Sequence, residues 1–338
     1  MSGFARKLTQ WQRRHGRHGL PWQGTRDAYR IWLSEIMLQQ TQVAAVIPYY
    51  ERFLRRYPDI EALARASEEE VLALWAGLGY YARGRNLLRA AKAVAARGGF
   101  PDTAEGLREL PGVGPSTAAA IAAFAFGRRA AILDGNVKRV LARHFGVEGE
   151  KAQWALADAL LPSRGIETYT QALMDLGATV CTRANPACSR CPVAAECVAR
   201  KEGRVAELPA PRRRKALPER RATWLVLVHR GEVLLERRPS PGIWGGLWSF
   251  PEGPSRNVRD HCRRRLGCDI AAPRALARVE HGFTHFRLSA QPLRCEVRKR
   301  APGAPPPGTM WLDPADAATA AVPAPVRALL SGLRDQAP

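Results

Sequence analysis

The sequence predicts an all-α domain followed by a smaller α+β domain, on three observations. Up to about residue 200, apolar residues recur at three- and four-residue intervals and strand signals are nearly absent. The stretch Lys201–Arg221 (KEGRVAELPAPRRRKALPERR) then replaces that period with Pro and Arg. Beyond it, short β-type runs appear. The 338 residues suffice for two or three domains with a sizeable core.

In chain order, Ala28–Leu38, Val43–Arg56, Glu68–Trp75, Asn86–Ala96 and Ser116–Phe126 read as helices, with Gly98-Gly99-Phe100-Pro101 and Pro111-Gly112 at the joins. Residues 201–221 read as an extended basic linker, suited to touching DNA or a repair-protein partner. Thr223–Val228 and Glu232–Glu236 read as a hairpin turning at His229–Gly231, and Phe286–Val297 as a more loosely alternating strand. Ala301–Gly308 (APGAPPPG) is a Pro-rich loop. The expected domains are therefore 1–200 and 222–338, joined by 201–221.

Hydrophobic residues make up 46% and charged residues 25%, an ordinary globular balance. No run of about 18 apolar residues occurs, so no transmembrane helix is expected. The opening MSGFARKLTQWQRR lacks the apolar core of a secretory signal, so a cytoplasmic protein is expected. A bacterial monomer acting at the nucleoid, with no membrane partner, is the further expectation. Lys and Arg number 52 against 31 Asp and Glu, a formal net charge of +21. Such an excess favours a polyanionic partner, and the Trp, Tyr and Gln interleaved with Arg favour nucleic acid over an anionic membrane surface.

Of seven cysteines, Cys181, Cys188, Cys191 and Cys197 cluster as C-x6-C-x2-C-x5-C, while Cys262, Cys268 and Cys295 are scattered and read as core thiols. In a reducing compartment, four thiols so close together point to a metal site in place of disulfides. Zinc ribbons usually bring two C-x2-C pairs and only one is present; four thiolates on a small loop also suit a [4Fe–4S] cluster.

Leu110-Pro111-Gly112-Val113-Gly114-Pro115-Ser116-Thr117-Ala118 ends one helical pattern and opens another. Glycines there let backbone approach a phosphate, with free amides at the new helix N-terminus. Twenty residues after Gly114 stands Asp134, in Leu133-Asp134-Gly135-Asn136-Val137-Lys138-Arg139-Val140. This order of hairpin, aspartate and four-cysteine loop resembles the helix-hairpin-helix/Gly-Pro-Asp superfamily of DNA glycosylases over about residues 20–200, in its endonuclease III branch. Within that branch, Trp32-Leu33-Ser34-Glu35-Ile36-Met37-Leu38-Gln39-Gln40-Thr41 and Gly77-Leu78-Gly79-Tyr80-Tyr81-Ala82-Arg83 resemble adenine DNA glycosylases of the MutY type. The resemblance implies an all-α glycosylase domain with a hairpin at about 108–127 and a [4Fe–4S] loop at 181–197, held by Cys181, Cys188, Cys191 and Cys197. It also implies duplex DNA with adenine opposite 8-oxoguanine or guanine as the partner.

Cleaving an N-glycosidic bond needs one protonated carboxyl and one ionised carboxylate, as in glycoside hydrolysis generally. Glu35 lies between Trp32 and Leu38, apolar surroundings that raise a carboxyl pKa. The resemblance makes it the acid that protonates adenine N7 and later handles the attacking water. Asp134, near a helix N-terminus, is expected to stay ionised and to stabilise the cationic sugar, with Asn136 orienting the groups. Bifunctional relatives carry a lysine two residues after the second hairpin glycine. Here that position is Ser116, which cannot form an imine, so hydrolysis is expected over strand cleavage. Lys138 is the nearest amine and is expected to contact phosphate. The rival assignment is a bifunctional endonuclease III-like glycosylase/lyase for oxidised pyrimidines.

Adenine must leave the stack before it can be protonated. The resemblance places Gln40 and Tyr80 in the vacated duplex and Thr41 beside the opposite base. It lines the adenine pocket with Trp22, Gln23 and Leu38, and has Asp175 accept from the exocyclic amine. Gly242-Ile243-Trp244-Gly245-Gly246-Leu247-Trp248-Ser249-Phe250-Pro251-Glu252 resembles the start of a Nudix signature, G-x5-E-x7-R-E-U-x-E-E-x-G-U. Counting from Gly246 through Glu252 puts the terminal glycine on Gly267 and the three clustered glutamates on His261, Arg264 and Arg265. Two cations and an imidazole there would repel a divalent metal, so pyrophosphate hydrolysis is not expected. The α+β domain is thus expected to be Nudix-like, and Phe283-Thr284-His285 matches the family's loop that senses 8-oxoguanine.

Overall fold

The computed structural model describes residues 2–210, 216–239 and 242–334. Residues 211–215 of the expected linker lie outside the described residues. The chain divides into two compact units, each made of two stretches: Met1–Ala66 with Asn86–Arg213, and Ser67–Arg85 with Arg214–Pro338.

The helices in chain order are α1 (Gly3–His15), α2 (Ala28–Leu38), α3 (Val43–Arg56), α4 (Ile60–Ala64), α5 (Glu68–Trp75), α6 (Tyr81–Arg97), α7 (Ala104–Arg108), α8 (Pro115–Phe126), α9 (Gly135–Phe145), α10 (Glu150–Ala159), α11 (Ile166–Asp175) and α12 (Val198–Lys201). α5 belongs to the second unit, as do the first residues of α6. Side chains mark many starts. Asp27 accepts from Arg30 N to cap α2, and Ser67 with Glu70 forms a reciprocal capping box on α5. α8 is almost all alanine on its inner turns, so it can sit inside the bundle. Its Ala119, Ala120 and Ala123 share one core with Leu8, Leu141 and Tyr169. Among the described residues of the first unit there is no strand.

The helix expected over Asn86–Ala96 begins earlier, at Tyr81. Tyr80 stands in the left-handed region (φ 51°), and its carbonyl already accepts from Arg83 N at 2.7 Å. Gly84 continues the helix because its bare Cα lets the Trp75 ring approach; a Cβ there would lie 3.1 Å from it.

In the second unit, β1 (Glu219–His229), β2 (Glu232–Arg237), β3 (Trp248–Ser249), α13 (Val258–Leu266), β4 (Cys268–Ile270), β5 (Arg274–Ala275), β6 (Val279–Gly282), β7 (Arg287–Arg300), β8 (Thr309–Leu312), α14 (Pro314–Thr319) and α15 (Ala324–Arg334) follow. They form a mixed sheet in the order β3-β2-β1-β7-β4. β5 and β6 also pair with β7, and β8 pairs with β2. β1 and β7 run parallel, from Glu219 opposite Arg287 to Val228 opposite Glu296. Trp224–Leu227 are buried in succession, as a central strand covered on both faces requires. β1 starts before the apolar run because Glu219–Arg221 pair with β7 while staying exposed, which leaves no hydrophobic signal. Leu225, Leu227 and Leu234 pack with Cys262, Cys268 and Cys295, so the scattered cysteines are core thiols.

Candidate active site

A cavity of about 780 Å³ opens in the first unit between α2, the loop before it and α11. α2 is buried on most of its surface, through Ile31, Trp32, Leu33, Ile36 and Met37, which leaves Glu35 to line the cavity. Burial pushes the Glu35 carboxyl up from 4.5 to about 8, and the nearby Asp134 charge pushes the same way. Asp134 caps α9: its side chain accepts from Val137 N at 2.8 Å. The two carboxyls that the sequence pairs across 99 residues are therefore close enough in space to feel each other.

Trp22, Gln23 and Leu38 line the same cavity. The Trp22 ring meets Tyr50 edge-on at 5.3 Å. The Gln23 amide accepts from Leu20 N and donates to Arg17 O, which ties down the loop in front of α2. Asp175 stands apart from its expected place. It is fully buried, and its carboxylate accepts from Arg17 N (2.9 Å), Arg17 Nε (2.6 Å) and Gln171 Nε2 (2.9 Å), so it braces the wall without lining it. Gln171, one turn earlier on α11, does line the cavity, as do His18, Met174 and the ion pair of Arg26 with Glu167. None of these was singled out from the sequence. α11 (IETYTQALMD) mixes polar and apolar residues along its length, so no local pattern marks Gln171 or Glu167 as cavity-lining.

In the hairpin, Gly112 has φ 81°, and a Cβ would strike Asn86 at 2.8 Å. Gly114 is the N-cap of α8 with no side-chain cap and open space around it, so helix amides face outward as anion binding requires. Ser116 turns inward: its hydroxyl accepts from Leu133 N at 3.0 Å, fixing the backbone just before Asp134. Asn136 accepts from Arg139 Nη2 at 2.9 Å and packs against Gly177, where a Cβ would lie 2.6 Å from the Asn136 Cβ. Lys138 pairs with Glu150 at 2.9 Å on the surface. Gln40, at the end of α2, is exposed with φ 55°, and Thr41 beside it is half-buried.

Cys181, Cys188, Cys191 and Cys197 surround one small cleft with Arg143, Val180 and Arg200. The backbone delivers them through a π-turn at Leu176–Val180, two short 3-10 turns and the start of α12. Arg143 of α9 holds the loop by donating to Thr182 O, Arg183 O and Leu208 O. It also reaches Cys181 Sγ at 3.6 Å. Among the described residues, no three His, Cys, Asp or Glu side chains converge on a single ion position. Four soft thiols round a cleft walled by arginines suit a multinuclear, anionic iron–sulfur group.

In the second unit, the Phe283-Thr284-His285 turn links β6 to β7. Phe283 stacks on Phe286 (4.3 Å, 16°), leaving Thr284 and His285 exposed. Tyr80, 48% exposed, places its hydroxyl 3.5 Å from Thr284 Oγ1. α13 closes on Gly267 (φ 64°), where the Nudix count puts the signature glycine. Around it, Arg265 pairs with Glu236, and Arg238 with Glu252.

Among the described residues no helix is long and apolar enough to cross a membrane. Residues 33–160 match the HhH-GPD superfamily base excision DNA repair proteins, and residues 223–332 match the NUDIX domain. The chain is 32% identical to an adenine DNA glycosylase of Buchnera aphidicola subsp. Baizongia pistaciae, over 98% of this chain and 97% of that one. It is 35% identical to the adenine DNA glycosylase of Homo sapiens, over 95% of this chain and 72% of that one. Among solved structures, a thermostable thymine-DNA glycosylase matches with a TM-score of 0.55 at 30% identity, covering 59% of this chain and 95% of its own. An endonuclease III in complex with DNA shares the fold (TM-score 0.52, 20% identity, covering 59% of this chain and 94% of its own). Identity of 32–35% running along nearly the whole chain, across both units, places the chain in the adenine DNA glycosylase family.

Proposed function

We propose that this chain hydrolyses the N-glycosidic bond of adenine paired with 8-oxoguanine in duplex DNA, and more slowly that of adenine paired with guanine. The observation that carries this is Glu35: a carboxyl raised to about 8 by burial and by Asp134, on the wall of a cavity large enough for an extruded purine. At neutral pH Glu35 holds its proton and delivers it to adenine N7. The C–N bond breaks with its electron pair passing to the base. Asp134, anionic at the head of α9, then faces the electron-poor sugar. Water adds to the anomeric carbon and its proton returns to Glu35. Trp22, Leu38 and Gln171 bound the base, and Asn136 holds the geometry round Asp134.

Ser116 supports hydrolysis without strand cleavage, because it offers a hydroxyl already engaged by Leu133 N where an amine would be needed. Lys138 faces a backbone phosphate from the surface of α9, exchanging its exposed pairing with Glu150 for that contact. The hairpin amides after Gly114 grip a phosphate, and Gln40, Thr41 and Tyr80 enter the duplex. Phe283, Thr284 and His285 meet the 8-oxoguanine. Cys181, Cys188, Cys191 and Cys197 would hold a [4Fe–4S] cluster, which stiffens the loop that Arg143 ties to α9. The protein works in the cytoplasm as a monomer, and the basic stretch 201–221 is the segment offered to other repair proteins.

Single-turnover assays on duplexes carrying adenine opposite 8-oxoguanine, guanine and thymine test the proposal. Rates should fall in that order, and strand breaks should appear only after alkali. Faster release of an oxidised pyrimidine, or breaks without alkali, would overturn it. Iron and sulfide in the purified protein check the cluster; stoichiometric zinc in their place would refute it.

A further inference from the structure

The second unit contains a stretch that sequence order assigns to the helical domain. Residues 67–85 carry α5, the Gly77–Tyr80 turn and the start of α6. Two hydrogen bonds bind them to the Nudix-like part of that unit, and a third pair of polar groups lies close by. Trp248 Nε1 donates to Glu69 Oε1 at 2.9 Å, Arg85 Nη1 donates to Gly245 O, and Tyr80 OH meets Thr284 Oγ1 at 3.5 Å. Gly246, with φ 79°, lets the two sides close up: a Cβ there would lie 3.0 Å from Glu68 Oε1.

These contacts form a closed circuit. Arg85 holds the carbonyl of Gly245. The next residue back, Trp244, stands in the left-handed region (φ 53°) and packs its ring 5.3 Å from Phe283. Phe283 precedes Thr284, whose hydroxyl meets Tyr80, five residues before Arg85 in the chain. Tyr80 is braced in turn by the Arg83 guanidinium, 5.5 Å from its ring and 5.2 Å from that of Trp75, and by Trp75 Nε1 donating to Gly79 O at 2.9 Å. Every link except Tyr80–Thr284 lies away from the two hydroxyls, so the circuit fixes their separation without touching a base.

We infer that Arg85, seconded by the Glu69–Trp248 bond, is a positioning residue for discrimination of the base opposite adenine: it sets the register between Tyr80 and the Phe283-Thr284-His285 turn. The inference rests on the reading that Tyr80 and Thr284 meet the opposite base. An oxidised guanine differs from guanine by one carbonyl oxygen and one N–H, so telling them apart requires hydrogen-bonding groups held to within a few tenths of an ångström. A charge-assisted bond to a backbone carbonyl supplies that restraint.

The test is the ratio of kcat/KM on adenine·8-oxoguanine to that on adenine·guanine, for the full chain and two pairs of variants. Arg85→Met removes the donor and keeps the length, and should lower the ratio roughly tenfold, about what one charge-assisted hydrogen bond contributes. The saturating single-turnover rate on adenine·guanine should stay unchanged. Arg85→Lys, which retains a donor, should recover part of the ratio. Glu69→Ala should lower it, whereas Glu69→Gln, which keeps an acceptor for Trp248 Nε1, should not. A wild-type ratio in both Arg85→Met and Glu69→Ala overturns the inference, as does an equal loss on both substrates. A wild-type protein with no preference between the two duplexes overturns the underlying reading as well, so the two failures are distinguishable.

Discussion

Glu35 in the first unit and the carboxylates on the Nudix-like surface of the second sit in opposite settings. In the cavity of the first, Glu35 is buried on α2 with Asp134 as its charged neighbour, and its pKa rises to about 8. On the Nudix-like surface of the second, Glu236 and Glu252 each have an arginine partner, Arg265 and Arg238. Arg265 occupies a signature position where a hydrolase carries a glutamate. A carboxyl that is buried without a cation stores a proton for use, whereas one bridged to a guanidinium is an ordinary ion pair. Under the proposed function, chemistry belongs to the unit where a carboxyl is left uncompensated, and the other unit serves recognition.

Removing the uncompensated acid has the largest effect. Glu35→Gln should lower single-turnover adenine release by roughly 10²–10⁴-fold while leaving duplex binding intact, since glutamine keeps the shape without the proton. The sign with pH follows from the raised value. The folded carboxyl loses its proton as the pH climbs through about 8, so wild-type excision should decline on that alkaline side. The unfolded chain ionises this group near 4.5, so between 4.5 and about 8 folding must keep a carboxyl neutral that would otherwise ionise. Stability therefore drops across that window, and Glu35→Gln should raise the melting temperature at pH 8 more than at pH 5. Undiminished release, or a pH profile flat to 9, would remove Glu35 as the acid.

How much of this was legible in the sequence depends on the range of the contacts. α2, α3 and α5 have the bounds that their apolar spacing predicts, because burial of one face is written locally. The environment of Glu35 was legible for the same reason: Trp32 and Leu38 flank it on one helix. Asp175 was not, since its engagement depends on Arg17, 158 residues away. The attachment of residues 67–85 to the second unit was equally hidden, because Glu69 and Trp248 are separated by 179 residues and neither disturbs its local pattern. The start of β1 was missed for a different reason. Edge-to-edge pairing of exposed Glu219–Arg221 with β7 is made by backbone, which side-chain patterning does not report.

A smaller effect probes how tightly the Asp134 side of the first unit is held. Gly177 lies against Asn136, and an added Cβ would come within 2.6 Å of the Asn136 Cβ and 3.2 Å of its Cα, with backbone that cannot swing away. Gly177→Ala should therefore shift the first turn of α9, two residues from Asp134. It should slow excision by roughly tenfold to a hundredfold, as small misplacements of reacting groups do. The Glu35 pH dependence should remain. A wild-type rate would mean that the α9 N-terminus tolerates displacement.

The smallest effect is expected in the second unit, and it is the one that can break the contrast. Arg265 and Glu236 pair at a partly exposed surface, with side chains 44% and 24% accessible, so the bond is screened by water. Arg265→Ala should cost no more than about 1 kcal/mol of stability, the upper range for such pairs, which moves the melting temperature by roughly 2–4 °C. Adenine excision and the preference for the opposite base should not change, because Arg265 takes no part in the circuit from Arg85 to Thr284. Glu236, released from its cation, would still stand alone, with His261 and Arg264 at the neighbouring signature positions, so no divalent-metal hydrolase can emerge. If instead Arg265→Ala slowed excision more than tenfold or unmasked magnesium-dependent pyrophosphate hydrolysis, charge pairing in the second unit would be holding back a function, and the division between a chemical unit and a recognition unit would fail.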